Sequence, residues 1–191
     1  MKIIILGAGQ VGSSVLRSLA SEANDIVVVD TVSALLSDLE DRYDIATIVG
    51  NAAHPTILEK AGAASADMLI AVTSDDETNM LACQIAHTLF KTPKKIARIR
   101  AIEYKKYPSL FGPEGIPIDL VISPEQIVTE FIQRLLEYPG ATQVLDFANG
   151  RVRMVSVLAR QDGPLVQCEV KTLHQHMPNV HARITAIFRK G

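Results

Sequence analysis

The sequence predicts an α/β protein: a doubly wound parallel sheet, followed by a crossover helix and a small, incomplete α+β subdomain. Three observations carry that expectation. The apolar run Ile3-Ile4-Ile5-Leu6 leads directly into Gly7-Ala8-Gly9-Gln10-Val11-Gly12, and a second run, Ile26-Val27-Val28-Val29, ends on Asp30. Apolar runs then alternate with helical patterns as far as Gly140, after which they become short and alternating. Strands buried on both faces read as continuous apolar runs, and their alternation with helices calls for parallel strands joined by crossovers.

Strands are expected near residues 2–6, 26–30, 46–49, 68–72, 96–100 and 119–122, enough for a complete doubly wound sheet. The first helix follows the glycine turn. Thr31 and Ser33 precede the second, Ala34 to Asp41, and Pro55 stands in the first turn of the third. Asp75-Asp76-Glu77 open a fourth that runs to about Phe90, with acids placed where the helix dipole favours them. Ser123-Pro124-Glu125 starts a further helix on which Ile127, Val128, Phe131, Ile132, Leu135 and Leu136 form one stripe, and Tyr138-Pro139-Gly140 breaks it. That helix either covers the sheet edge or leaves the first domain to pack on another subunit.

Beyond Gly140, the runs Gln143 to Phe147 and Val152 to Ala159 flank Ala148-Asn149-Gly150-Arg151, a hairpin signal. A turn at Gln161-Asp162-Gly163-Pro164 leads to Leu165-Val166, a short helix from about Lys171 to His176 and a strand from Ala182 to Phe188. This stretch is too small to bury a core of its own, so truncation or completion by a partner is expected.

Composition excludes several classes. Of 191 residues, 48% are hydrophobic, and 19 Lys and Arg face 21 Asp and Glu. A balanced chain gives no reason to expect nucleic acid or anionic lipid as a partner. No run approaches the roughly eighteen apolar residues that span a bilayer, and the N-terminal run is too short for a signal sequence. Cys83 and Cys168 fit no metal spacing, and Cys83 reads as a small buried hydrophobe of a reduced, cytosolic protein.

The glycines identify the first βαβ unit as Rossmann-like. They permit a tight turn, close approach of a pyrophosphate and close packing of helix on strand, while the following helix start attracts the phosphates. Asp30 lies about twenty residues further on, where its carboxylate can accept from both ribose hydroxyls, and Thr31 and Val32 supply no arginine for a 2′-phosphate. NAD or an adenine nucleotide is therefore favoured over NADP. Gly50-Asn51-Ala52 after the third strand borders an adenine or is a plain turn. Thr73-Ser74 after the fourth caps the next helix or touches the ligand. Arg98 and Arg100, two apart on a strand, share a face; one meets a pyrophosphate or an acidic partner, or forms a salt bridge at the sheet edge. His54, His87, His174, His176 and His181 have no partner at catalytic spacing, although His54 stands near the ligand rim. A small NAD-dependent oxidoreductase is therefore the alternative, with His54 as its proton donor, and a redox-sensing repressor lacks the basic surface it needs.

The whole chain resembles the N-terminal part of TrkA-type potassium uptake regulatory proteins, built from RCK (KTN) domains. The resemblance rests on Gly7 to Gly12 with Asp30, Ala71-Val72-Thr73 with Asp76-Glu77-Thr78-Asn79-Met80, and Ala97-Arg98-Ile99-Arg100. Ile122-Ser123-Pro124-Glu125 through Tyr138-Pro139-Gly140-Ala141, Gly163-Pro164-Leu165-Val166 and Ala186-Ile187-Phe188-Arg189 extend it. It implies a nucleotide sensor that is no enzyme. Its nucleotide domain covers 1–123, a crossover helix and linker 124–140, and part of a C-terminal RCK subdomain 141–191, in a family that carries two such units in tandem, so the chain reads as a shortened piece. It also implies a cytoplasmic protein held to the inner membrane by a Trk-type transporter subunit, dimeric through the crossover helix and tetrameric at full length. By position, Gly7, Ala8, Gly9, Gln10, Val11 and Gly12 hold the phosphates of NAD(H), or of ATP or ADP in the same site. Asp30 takes the adenosine ribose, Asn51 and Ala52 the adenine side, Thr73 and Ser74 the centre of the ligand, and Arg98 the phosphates. Many relatives carry Asp at the position of Asn51, which leaves the choice between NAD(H) and ATP or ADP open.

Overall fold

The computed structural model describes residues 1–20, 22–112, 114–148, 150–160, 163, 166, 169, 170 and 182–189. Two compact units divide the chain, Met1–Ile127 and Val128–Gly191.

In the first unit six parallel strands form one sheet: β1 (Lys2–Leu6), β2 (Asp25–Asp30), β3 (Ala46–Val49), β4 (Met68–Ala71), β5 (Lys94–Arg98) and β6 (Leu120–Ile122). Their order is β3-β2-β1-β4-β5-β6. The helices α1 (Gln10–Leu19), α2 (Ser33–Glu40), α3 (Pro55–Lys60) and α4 (Asp76–Ile85) connect them. Alternate strand residues serve opposite cores. Ile4, Leu6, Val27, Val29 and Leu69 pack with Leu58 of α3 and Cys83 of α4. Ile3, Ile5, Ile26, Val28 and Ile70 pack with Leu16 of α1 and Leu36 of α2. Two covered faces explain why the strands read as unbroken apolar runs. The chain winds outward from β1 to β3, then crosses back to β4 on the other side of β1, so the carboxyl ends of β1 and β4 border a topological switch point, where ligands of such sheets bind.

Several elements depart from expectation. β5 spans Lys94–Arg98 and not 96–100, because the N–H groups of Arg100 and Ala101 both donate to Asp76 Oδ2 at 2.8 Å, which draws the chain off the sheet. Arg98 and Arg100 therefore do not share a strand face. The fourth helix is α-helical only to Ile85; a wider π turn, Ala86–Phe90, follows and ends at Lys91 in the left-handed conformation, φ 57°. A short helix, α5 (Ile102–Lys105), and a 3-10 turn, Pro108–Leu110, occupy a stretch with no periodic apolar signal. The helix α6 (Pro124–Glu137) contains the point where the chain passes from the first unit to the second.

The second unit holds an antiparallel hairpin, β7 (Ala141–Phe147) and β8 (Val152–Val157), with Val144 fully buried and Ala148 and Gly150 in left-handed conformations between the strands. Its second strand stops at Val157, short of Ala159. Ala182 to Phe188, expected as a strand, has no regular structure: a strand exists through pairing, none of the described residues pairs with it, and Phe188 is 96% exposed. The helix expected from Lys171 to His176, much of the stretch from Gln161 to Val166, Asn149 and Cys168 lie outside the described residues.

Candidate functional site

A cavity of about 480 Å³ opens at the carboxyl ends of β1, β2, β4 and β5, within the rough 300–1,000 Å³ range of small-molecule sites. The glycine turn shapes it. Gly7 has φ +105°, and a Cβ there would meet the Thr73 backbone at 3.0 Å. At Gly12 a Cβ would fall 1.8 Å from the Gly7 carbonyl oxygen, so only glycine lets α1 start this close to β1. Gly9 differs: its φ of −68° suits any residue, yet a Cβ would meet nothing within 4 Å. Its missing side chain keeps the space before the α1 N-terminus open, where backbone N–H groups without intrahelical partners attract anions.

Gly7, Gly9, Gln10, Val11, Asp30, Asn51, Ala52, Thr73, Ser74 and Arg98 all line this cavity. Ala8 and Gly12, expected with them, do not. Ala8 is buried, and its N–H donates to Asp30 Oδ2 at 2.6 Å instead of facing a phosphate. Asp30 Oδ1 accepts from the Val32 N–H at 2.9 Å. The carboxylate thus ties the β1–α1 and β2–α2 loops together; an ionised carboxylate has about four acceptor positions, so roughly two remain for hydroxyl donors. Asn51 Oδ1 accepts from the Ala53 N–H at 2.8 Å, closing a local turn, while the residue also lines the cavity.

Thr73 does not cap α4. Asp75 does, accepting from the Thr78 N–H at 2.7 Å; hydrogen bonds from Thr78, first from its side chain and then from its backbone, hold the Asp75 carboxyl below its ordinary value. The Thr73 hydroxyl and N–H both donate to Asn79 Oδ1, at 2.8 and 3.0 Å. Asn79 is fully buried, and its Nδ2 donates to the carbonyls of Thr73 and Arg98. One side chain thereby joins the ends of β4 and β5 beneath the cavity. Sequence reasoning missed Asn79 and Asp76, which is also buried; the available signal was two polar residues one turn apart on a helix that must bury a face.

Arg98 lines the cavity, and its Nη2 donates to Glu125, the salt-bridge alternative of the sequence reading. Its Nε is buried with no acceptor among the described residues. Arg100 stands apart from the cavity, with its guanidinium donating to the Ser74 carbonyl and lying 3.6 Å from Asp76 Oδ1.

His174, His176 and His181 lie outside the described residues, and two other reactive side chains stand away from the cavity or are deeply buried. His54 is exposed as the residue before α3 and is not part of the lining. Burial pushes the Cys83 thiol up to about 12, so it is no nucleophile at neutral pH. Among the described residues no group of three or more His, Cys, Asp or Glu could hold a metal ion.

The TrkA-N domain family model matches residues 3–124. The chain belongs to the TrkA-N domain family. It is 55% identical over 191 residues to the Trk system potassium uptake protein TrkA of Halomonas elongata, covering 100% of this chain and 42% of that protein. It thus spans about two fifths of the length of the curated relatives it matches. Among solved structures, the TrkA-N domain of the inner membrane protein ybaL from Escherichia coli aligns with TM-score 0.62 at 21% identity, over 71% of this chain and 96% of that one. The GsuK channel bound to NAD aligns with TM-score 0.57 at 22% identity over 66% of this chain and 22% of that one. GsuK bound to ADP aligns with TM-score 0.55, also at 22%, over 66% and 32%. At these identities the structural likeness establishes the TrkA-N fold.

Proposed function

We propose that this TrkA-N chain is the nucleotide-binding part of a regulatory subunit of a bacterial Trk-type potassium uptake system. It binds NAD(H), with ATP or ADP as the alternative in the same cavity, and gates a membrane transporter subunit from the cytoplasmic side. The observation that carries this reading is the cavity itself, where an open Gly9 in front of a helix N-terminus, the Asp30 carboxylate and the Arg98 guanidinium line one space. Support comes from the potassium-uptake relative and from GsuK, solved with NAD and with ADP. The position of His54 outside the cavity lining speaks against the oxidoreductase alternative. Gating requires only that the ligand bind two arrangements of the subunit with different affinity.

Isothermal titration calorimetry with NADH, NAD, ADP and ATP tests the reading. Gly9→Val fills the space before α1 without touching a structural contact, so nucleotide affinity is expected to fall by roughly a hundredfold with the melting temperature unchanged. Absence of nucleotide binding by the parent protein, or undiminished binding by the variant, overturns the assignment.

A further inference from the structure

Arg98 ends β5 with its side chain 15% exposed, lines the cavity and donates through Nη2 to Glu125, which stands in the first turn of α6. A guanidinium offers five N–H donors in a planar fork that suits bidentate contact with a phosphate. Here a carboxylate engages one corner of the fork, and the buried Nε goes without an acceptor among the described residues. A buried donor left unmatched is unfavourable. Glu125 is better provided for: its own backbone N–H, ahead of Arg98, holds its carboxyl below the ordinary range, and acids are favoured in a first helical turn. Glu125 therefore loses little when Arg98 leaves, while Arg98 gains from any oxyanion that reaches Nε together with an Nη.

We propose that the Arg98–Glu125 ion pair is a displaceable link: a phosphate group entering the cavity takes Arg98 away from Glu125, so that ligand occupancy and the tie between β5 and the start of α6 exclude one another. This rests on the nucleotide reading above and adds the physical route from the ligand to α6. Because both partners compete for one guanidinium, the coupling is reciprocal: whatever weakens the tie strengthens binding, and binding frees the first turn of α6.

The test uses the intact protein and ADP, with EDTA present so that no metal bridges carboxylate and phosphate. Glu125 is 53% exposed, so Glu125→Gln preserves the fold while weakening the tie. Its affinity for ADP is expected to rise about three- to fivefold, the size of a partly exposed ion pair. Hydrogen exchange supplies the second readout, at the N–H groups of Gln126 and Ile127, which donate to the Ser123 carbonyl at 3.1 Å. ADP should speed their exchange in the parent protein and leave it unchanged in Glu125→Gln. Weaker ADP binding by the variant, or parent exchange that ADP leaves unchanged or slows, overturns the link, since phosphate and carboxylate would then share Arg98. Failure of the parent protein to bind ADP or NADH at all is a distinct result, which overturns the nucleotide reading and this link with it.

Discussion

Two backbone N–H groups, of Ala8 and Val32, end on the carboxylate of Asp30, at 2.6 and 2.9 Å. The sequence spacing predicts Asp30 as a ribose acceptor, and nothing in that spacing announces that the same oxygens also brace the glycine turn. The dual role changes what substitution should do. Asp30→Ala strips the acceptor from a partly buried N–H, so the protein is expected to lose about 1–3 kcal/mol of stability in urea melts as well as nucleotide affinity. Gly9→Val lacks the first effect, and the contrast separates recognition from folding. A wild-type melt for Asp30→Ala would show that solvent or the neighbouring loop satisfies Ala8 without the carboxylate.

At the scale of elements, β1, β2 and β4 were legible because both sheet faces are covered there, which writes these strands as apolar runs. Element ends were less so. β5 stops at Arg98 because Asp76, distant in sequence, accepts the N–H groups of Arg100 and Ala101; such a competitor for backbone donors has no local signature. Asn79 is the same case within the site. It looks like an ordinary polar residue on a helix, yet it is fully buried and makes four hydrogen bonds to Thr73 and Arg98. Buried networks of this kind hold only when every member is satisfied. Asn79→Ala is therefore expected to cost about 2–4 kcal/mol by chemical denaturation, above the ordinary surface change, and to weaken nucleotide binding through the freed ends of β4 and β5. A loss below about 0.5 kcal/mol would show that Thr73 and Arg98 are held in place without it.

For the whole molecule, α6 poses the question that the nucleotide cavity does not answer. Ile127, Val128, Phe131, Ile132 and Leu136 are all exposed, Leu136 at 75%, and their spacing places them along one side of the helix. None of the described helices is long and apolar enough to cross a membrane, so this stripe is not a span. The dimer that the sequence resemblance implies would cover it with another copy of the chain, and the Arg98–Glu125 pair stands at the first turn of the same helix. Ligand and assembly then meet on one element, which a regulator needs if binding at the sheet is to alter the arrangement of subunits. Phe131→Asp should test the assembly half of that argument, because a carboxylate in an apolar interface is penalised by several kcal/mol. Analytical ultracentrifugation is expected to show a dimer for the parent protein and at least about a hundredfold weaker association for the variant, with ADP affinity within about threefold of the parent. A parent protein that sediments as a monomer, or a variant that associates equally well, would mean that α6 is not the interface and that the stripe is covered by something other than its own copy.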